Sequence, residues 1–149
     1  MATPAYSHTQ RGWIQWIVAP IGLLQVALGL AVTEPRPVGW LVMAVGASLI
    51  FLALCFSRLS IRERSDRLEL VYGPIPLFRR SIPYGQIRSF ERARSRLVDG
   101  WGIHWVPLRG WTWNLWGRDC VELEMTDGRL RVGTDDPEGL TAHLAARVG

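Results

Sequence analysis

The chain contains no lysine, so all 17 of its basic residues are arginine. A genome rich in G and C accounts for that substitution, which therefore points to no arginine-specific chemistry. Cysteine is almost as scarce. Cys55 falls in an apolar run and Cys120 in an expected strand. Two isolated thiols make no disulfide framework, and without clustered ligands they make no zinc site. Their scarcity fits a reducing compartment. Familiar catalytic patterns are missing too. There is no G-x-S-x-G, no P-loop, no C-x-x-C and no H-E-x-x-H, and none of the eight serines has a nucleophile's context. Gly100 and Gly102 precede no helix, which argues against a phosphate cradle. His104 and His143 have no second ligand placed by spacing, so no metal or cofactor is expected. Asp135, Asp136 and Glu138 read as helix capping and not as a cation site.

Charge of one sign is only mildly in excess, at +4. The arginines are spread along the chain and not gathered on one helix or tail, which argues against nucleic acid as a partner. Anionic lipid headgroups are the nearer possibility.

What the chain has in abundance is uncharged apolar sequence. Trp13–Val32 reads WIQWIVAPIGLLQVALGLAV, and Val38–Phe56 reads VGWLVMAVGASLIFLALCF. At about 1.5 Å per residue, each is close to the roughly 30 Å of a bilayer's hydrocarbon layer. The linker TEPRP (33–37) ends one helix and starts the next. These features predict a tail over 1–12, a transmembrane helical hairpin over 13–56 and a soluble domain over 57–149. Arg11 precedes the first run, and Arg58, Arg62, Arg64 and Arg67 follow the second, while the linker holds only Arg36 beside Glu34. The positive-inside rule then puts both termini in the cytoplasm, as in a multi-pass protein of the bacterial inner membrane. A cleaved signal peptide fits less well, because the first run is long and carries Trp, Gln and Pro. Gln15 and Gln25 are candidates for contact with the second helix or another membrane protein, though single glutamines are also simply tolerated. Gly22, Gly29, Gly39, Gly46 and Ala47 permit close helix packing.

Beyond Phe56 the apolar period drops to two. Leu59 and Ile61 alternate, then Leu68, Leu70 and Tyr72, about a Ser65-Asp66 turn that sets Ile61 opposite Leu70 and Arg62 opposite Glu69. Asp127-Gly128 predicts a second tight turn, pairing Met125 with Leu130, Leu123 with Val132 and Glu124 with Arg131. Glu122, Glu124, Arg129 and Arg131 then make a wet sheet face. Further strands are expected at Leu77–Ile82, Ile87–Ala93 and Thr112–Trp116. Asp136 with Pro137 marks a helix start, and Leu140, Leu144 and Val148 give that helix one apolar stripe. The total is about seven strands and a terminal helix.

The stretch RRSIPYGQIRSF (79–90), with Ile82, Pro83, Tyr84 and Ile87, resembles bacterial membrane proteins carrying a pleckstrin-homology-like domain. So does the ending strand–Asp-Gly–strand–GTDDPEGL–helix. That resemblance implies an α+β membrane protein with a seven-stranded barrel or sandwich and one capping α-helix. It implies no single activity, because fold does not decide function.

The segment from Arg96 to Gly117 holds five of the eight tryptophans together with four glycines. Trp101, His104, Trp105, Arg109 and Trp111 are the candidate contact residues, since indole and guanidinium suit both protein interfaces and the headgroup layer. Against this, the tryptophans at 111, 113 and 116 also suit a barrel core, and Trp113 is the one expected there. The function expected is a non-enzymatic, membrane-anchored interaction module, an accessory or scaffold subunit of a larger assembly of integral membrane proteins. A first alternative binds anionic lipid at the inner leaflet. A second is a lipid-processing enzyme or transporter component, which would need His104 beside Asp99 or Asp119.

Overall fold

The computed structural model describes residues 5–95 and 102–148. Among the described residues nine strands form two sheets, accompanied by three α-helices. The first sheet has the order β1-β2-β3-β4, with β1 Ser7–Arg11, β2 Arg58–Arg64, β3 Arg67–Gly73 and β4 Arg79–Pro83. The second has the order β5-β8-β9-β7-β6, with β5 Ile87–Arg94, β6 Gly102–Val106, β7 Gly110–Asn114, β8 Asp119–Met125 and β9 Gly128–Gly133. The helices are α1 Gln15–Ala31, α2 Arg36–Cys55 and α3 Pro137–Val148.

This overturns the seven-stranded barrel. Two strands escape the apolar alternation used to find strands. β1 reads SHTQR, almost wholly polar, and β6 lies inside the Trp/Gly-rich stretch. β7 pairs with β9 in parallel, with Trp111 opposite Leu130 and Trp113 opposite Val132, an alignment that no local turn specifies.

The expected N-terminal transmembrane hairpin is corrected as well. β1 precedes the helices, so they are an insertion between β1 and β2 and do not open the fold. Only α2 is long and apolar enough to cross a membrane among the described residues. α1 has 17 residues, about 26 Å of helix, which falls short of the hydrocarbon layer.

The chain divides into two compact units. One comprises Gly12–Arg58 and Tyr72–Phe78, the other Met1–Arg11, Leu59–Val71 and Arg79–Gly149. In the first unit α1 and α2 meet along glycines spaced by seven. A Cβ on Gly22 would lie 2.7 Å from the Gly46 carbonyl oxygen, and one on Gly39 would lie 2.8 Å from that of Gly29. Contacts this short admit no side chain, so glycine sets the helix separation. The two ends of the inserted segment are tied by the Gly12 N–H, which donates to the Ser57 carbonyl at 2.7 Å. Phe56 packs edge-on against Tyr72 and, with the ring planes tilted by 30°, against Phe78.

In the second unit Leu59, Ile61, Leu68, Leu70 and Ile82 are fully buried with Val121, Leu123, Leu130 and Val132, and α3 adds Leu140 and Leu144. The helix start is as its sequence suggests, because Asp136 Oδ1 accepts the Gly139 N–H at 2.9 Å. The turn after β8 differs. Met125 pairs with Gly128, Leu123 with Leu130 and Glu122 with Arg131, so the central residues are Thr126 and Asp127. Gly128 supplies its positive φ of 138° one position later than a type I′ turn would use it. The shift is by two residues, so every side chain keeps its face. The turn between β2 and β3 falls at Ser65 and Asp66 as expected, and beside it Arg64 Nε donates to Glu69 Oε2 at 3.4 Å.

Candidate functional site: the β6–β7 hairpin and a buried carboxylate cluster

β6 and β7 form an antiparallel hairpin at the edge of the second sheet. Ile103 pairs with Trp113, His104 with Thr112 and Trp105 with Trp111. Alternation divides these residues between two faces. Trp105 and Trp111 are side by side on one, and they remain 58% and 44% exposed. Trp113, on the same face one pair further along, is buried at 7% exposure.

The strands are joined by Pro107, Leu108 and Arg109, where the Arg109 N–H donates to the Val106 carbonyl at 3.1 Å. Proline second and a positive-φ residue third follow the type II pattern. The third position normally takes glycine, and here it is Leu108 at φ 66° with 95% of its surface exposed. Gly110 follows at φ 79°, and a Cβ there would run into the Arg129 carbonyl, so this position does need glycine.

His104 faces away from the tryptophan pair. It ends a polar row that crosses all five strands: Glu91, Glu122, Arg131, Thr112 and His104. Arg131 Nε donates to Glu122 Oε2 at 2.7 Å, and both side chains are largely buried, so this part of the face is not wet as expected. Glu124 and Arg129 are exposed. The His104 Nε2, Thr112 Oγ1 and Asn114 Oδ1 atoms are buried without hydrogen-bond partners. A shallow groove on this face is lined by Ser89, Glu91, Glu122, Glu124 and Arg129, among others. Two of its carboxylates are engaged, Glu122 by Arg131 and Glu124 by the Ser89 hydroxyl. Asp119 pairs with Arg94 at 3.2 Å. Trp101 and Asp99 lie outside the described residues. Gln15 and Gln25 each hold a buried Oε1 without a hydrogen-bond partner, and Gln25 sits against Gly46 of α2.

A second concentration of polar chemistry surrounds Glu63. Strand alternation puts this carboxylate on the same face as Leu59 and Ile61, and its side chain is 4% exposed. It accepts the Tyr6 N–H at 3.0 Å and pairs with Arg147 of α3. His143 Nε2 lies 3.9 Å from it and 2.9 Å from the Tyr84 hydroxyl. The Tyr6 ring stacks on His143 at 5.1 Å, and its hydroxyl donates to Asp136 Oδ2. His8 Nε2 meets Asp135 Oδ1 at 2.5 Å. Burial lowers the His143 pKa, opposed by Glu63 and reinforced by Arg147. Burial and then Glu63 push the Tyr84 hydroxyl up to about 12. Burial and then Asp136 raise Tyr6. At neutral pH the cluster therefore holds a neutral imidazole and two neutral phenols around the Glu63–Arg147 pair. Those groups hold each other, tying β1, β2, the turn at Tyr84 and α3 together.

No group of three or more His, Cys, Asp or Glu side chains able to hold a metal occurs among the described residues. The Cys120 thiol is pushed up to about 11, chiefly by burial, and donates to the Ala93 carbonyl, so it is a poor nucleophile. The Glu63 cluster was legible only in part. Alternation from Leu59 reaches Glu63, but nothing local ties it to α3. No protein-family model matches the chain, and no curated protein matches it either.

Proposed function

We propose that this chain is a membrane-anchored, non-catalytic interaction module that serves a membrane assembly as an accessory or scaffold subunit. α2 supplies the anchor and the β6–β7 hairpin the contact surface. The observation that carries the reading is the exposed tip, where Trp105, Leu108 and Trp111 are apolar and outward-facing while Trp113 fills the core. Large exposed aromatics on a rigid hairpin are the usual chemistry of contact surfaces. The non-catalytic part is supported by the Glu63 cluster, whose buried carboxylate is held by the Tyr6 N–H and by Arg147, and by the strand register, which sets His104 on β6 three strands away from Asp119 on β8.

The test is the W105A/W111A double variant of the full-length protein. Both side chains are substantially exposed, so the fold should survive, which circular dichroism checks. Purification in mild detergent should retain membrane-protein partners or bound lipid with the wild type and lose them with the variant. Identical sets of co-purifying proteins, together with identical lipid retention, would defeat the proposal.

A further inference from the structure

Leu108 carries two costs that the fold does not require. A branched side chain in left-handed backbone is strained, and glycine at this position would remove the strain. Its apolar surface is also almost entirely in the open, at 95% exposure. Uncompensated strain of this kind concentrates where the surrounding structure serves a contact. We propose that the tip of the β6–β7 hairpin seats in the headgroup region of a lipid bilayer, with Leu108 as its deepest side chain.

This inference rests on the hairpin being a contact surface, and it names the occupant. Three observations favour lipid over protein. Leu108 projects beyond a cross-strand pair of tryptophans, so the tip grades from aliphatic to indole, the order of polarity across a bilayer's interface. The hairpin, GIHWVPLRGWTWN, has no acidic residue, so nothing in it repels anionic headgroups. The same chain carries a helix long and apolar enough to cross a membrane, and the proposed anchoring through that helix supplies the bilayer. A lone leucine side chain with two flanking indoles gives shallow seating and not insertion across the membrane.

The experiment is a nitroxide label on L108C in full-length protein, reconstituted in nanodiscs of phosphatidylcholine mixed equally with phosphatidylglycerol. Cys55 and Cys120 are buried, which leaves the new thiol as the reactive one. A label on D66C, in the exposed β2–β3 turn, is the aqueous reference. The expected result is a several-fold higher ratio of oxygen to nickel-chelate collisions at position 108 than at 66, with P107C showing the same trend more weakly. A label at 108 as wet as the one at 66 overturns the proposal. A label shielded from both oxygen and nickel also overturns it, and leaves the hairpin as a protein-docking surface. The contact-surface reading is judged separately, by the partners and lipid that W105A/W111A retains.

Discussion

Glu63→Gln is the substitution that most directly tests how the second unit is held together. Glutamine keeps the shape and one acceptor for the Tyr6 N–H, but it removes the charge that faces Arg147. Breaking a buried ion pair from one side costs about 3–5 kcal/mol, because the remaining charge is left without its partner. Arg147 is 38% exposed and regains water, so the expected loss is reduced to about 2–3 kcal/mol. In a domain of about 60–100 residues that loss lowers the midpoint of thermal unfolding by about 8–24 °C. Urea unfolding in mild detergent, followed by near-ultraviolet dichroism, gives the free energy where the transition is reversible. The double variant E63Q/R147Q removes both charges and should recover about 1–2 kcal/mol relative to simple addition of the two single effects. Amide exchange adds a local readout, because the Tyr6 and Glu63 N–H groups bond across β1 and β2 and should lose protection together. A loss below about 0.5 kcal/mol, or strict additivity, would refute the view that this buried pair clasps α3 to the sheet.

His143 gives the unit a pH dependence of definite sign. Its folded pKa lies below the unfolded value of about 6.5, so the unfolded chain binds the extra proton first. The His143 contribution is therefore present above about pH 6.5 and is lost as the pH falls through the folded pKa. Urea midpoints of wild type and H143Q should converge on acidification, and a gap that does not narrow would count against it. Gly46→Leu should force α1 and α2 apart, since even a Cβ would lie 2.6 Å from the Gly22 carbonyl oxygen. The loss should be about 2 kcal/mol of helix-pair stability, read as a lowered helical melting midpoint. Leu108→Gly should act in the opposite direction. Relief of about 1–2 kcal/mol of left-handed strain, less about 0.5–1 kcal/mol of added unfolded-state freedom, leaves a net gain of about 0.5–1 kcal/mol in urea. An unchanged or lower midpoint would show that Leu108 is not strained.

How much of this was readable beforehand depends on the range of the interaction. Asp136 and Pro137 announce α3 because capping is settled within four residues. The glycines at 22, 29, 39 and 46 were visible as packing residues, because a residue without a side chain lets two helix backbones approach most closely. The Asp127-Gly128 signal located a turn correctly but misassigned its centre, since glycine serves a positive φ at either of two positions. β1 was not readable, because its polar sequence becomes a strand only through partners more than fifty residues away, as when Glu63 N–H bonds the Tyr6 carbonyl. The wet-face reading of Glu122 and Arg131 failed for the same reason. Alternation assigns a side chain to a face and says nothing about what lies over that face. His104 was chosen for its company in sequence, yet strand alternation turns it away from the tryptophans beside it.

The placement of β1 ahead of the helices makes the chain nested and not serial. Strand β1 is synthesised before α1 and α2, but its neighbour β2 comes only after them, so the first sheet cannot close until the whole helical segment has been made. The same nesting makes excision conceivable. Gly12 and Ser57 already share a hydrogen bond, and a short linker in place of 13–56 would leave β1 beside β2 in its native order. A chain shortened in this way would separate the sheet-bearing unit from the helical pair by one deletion.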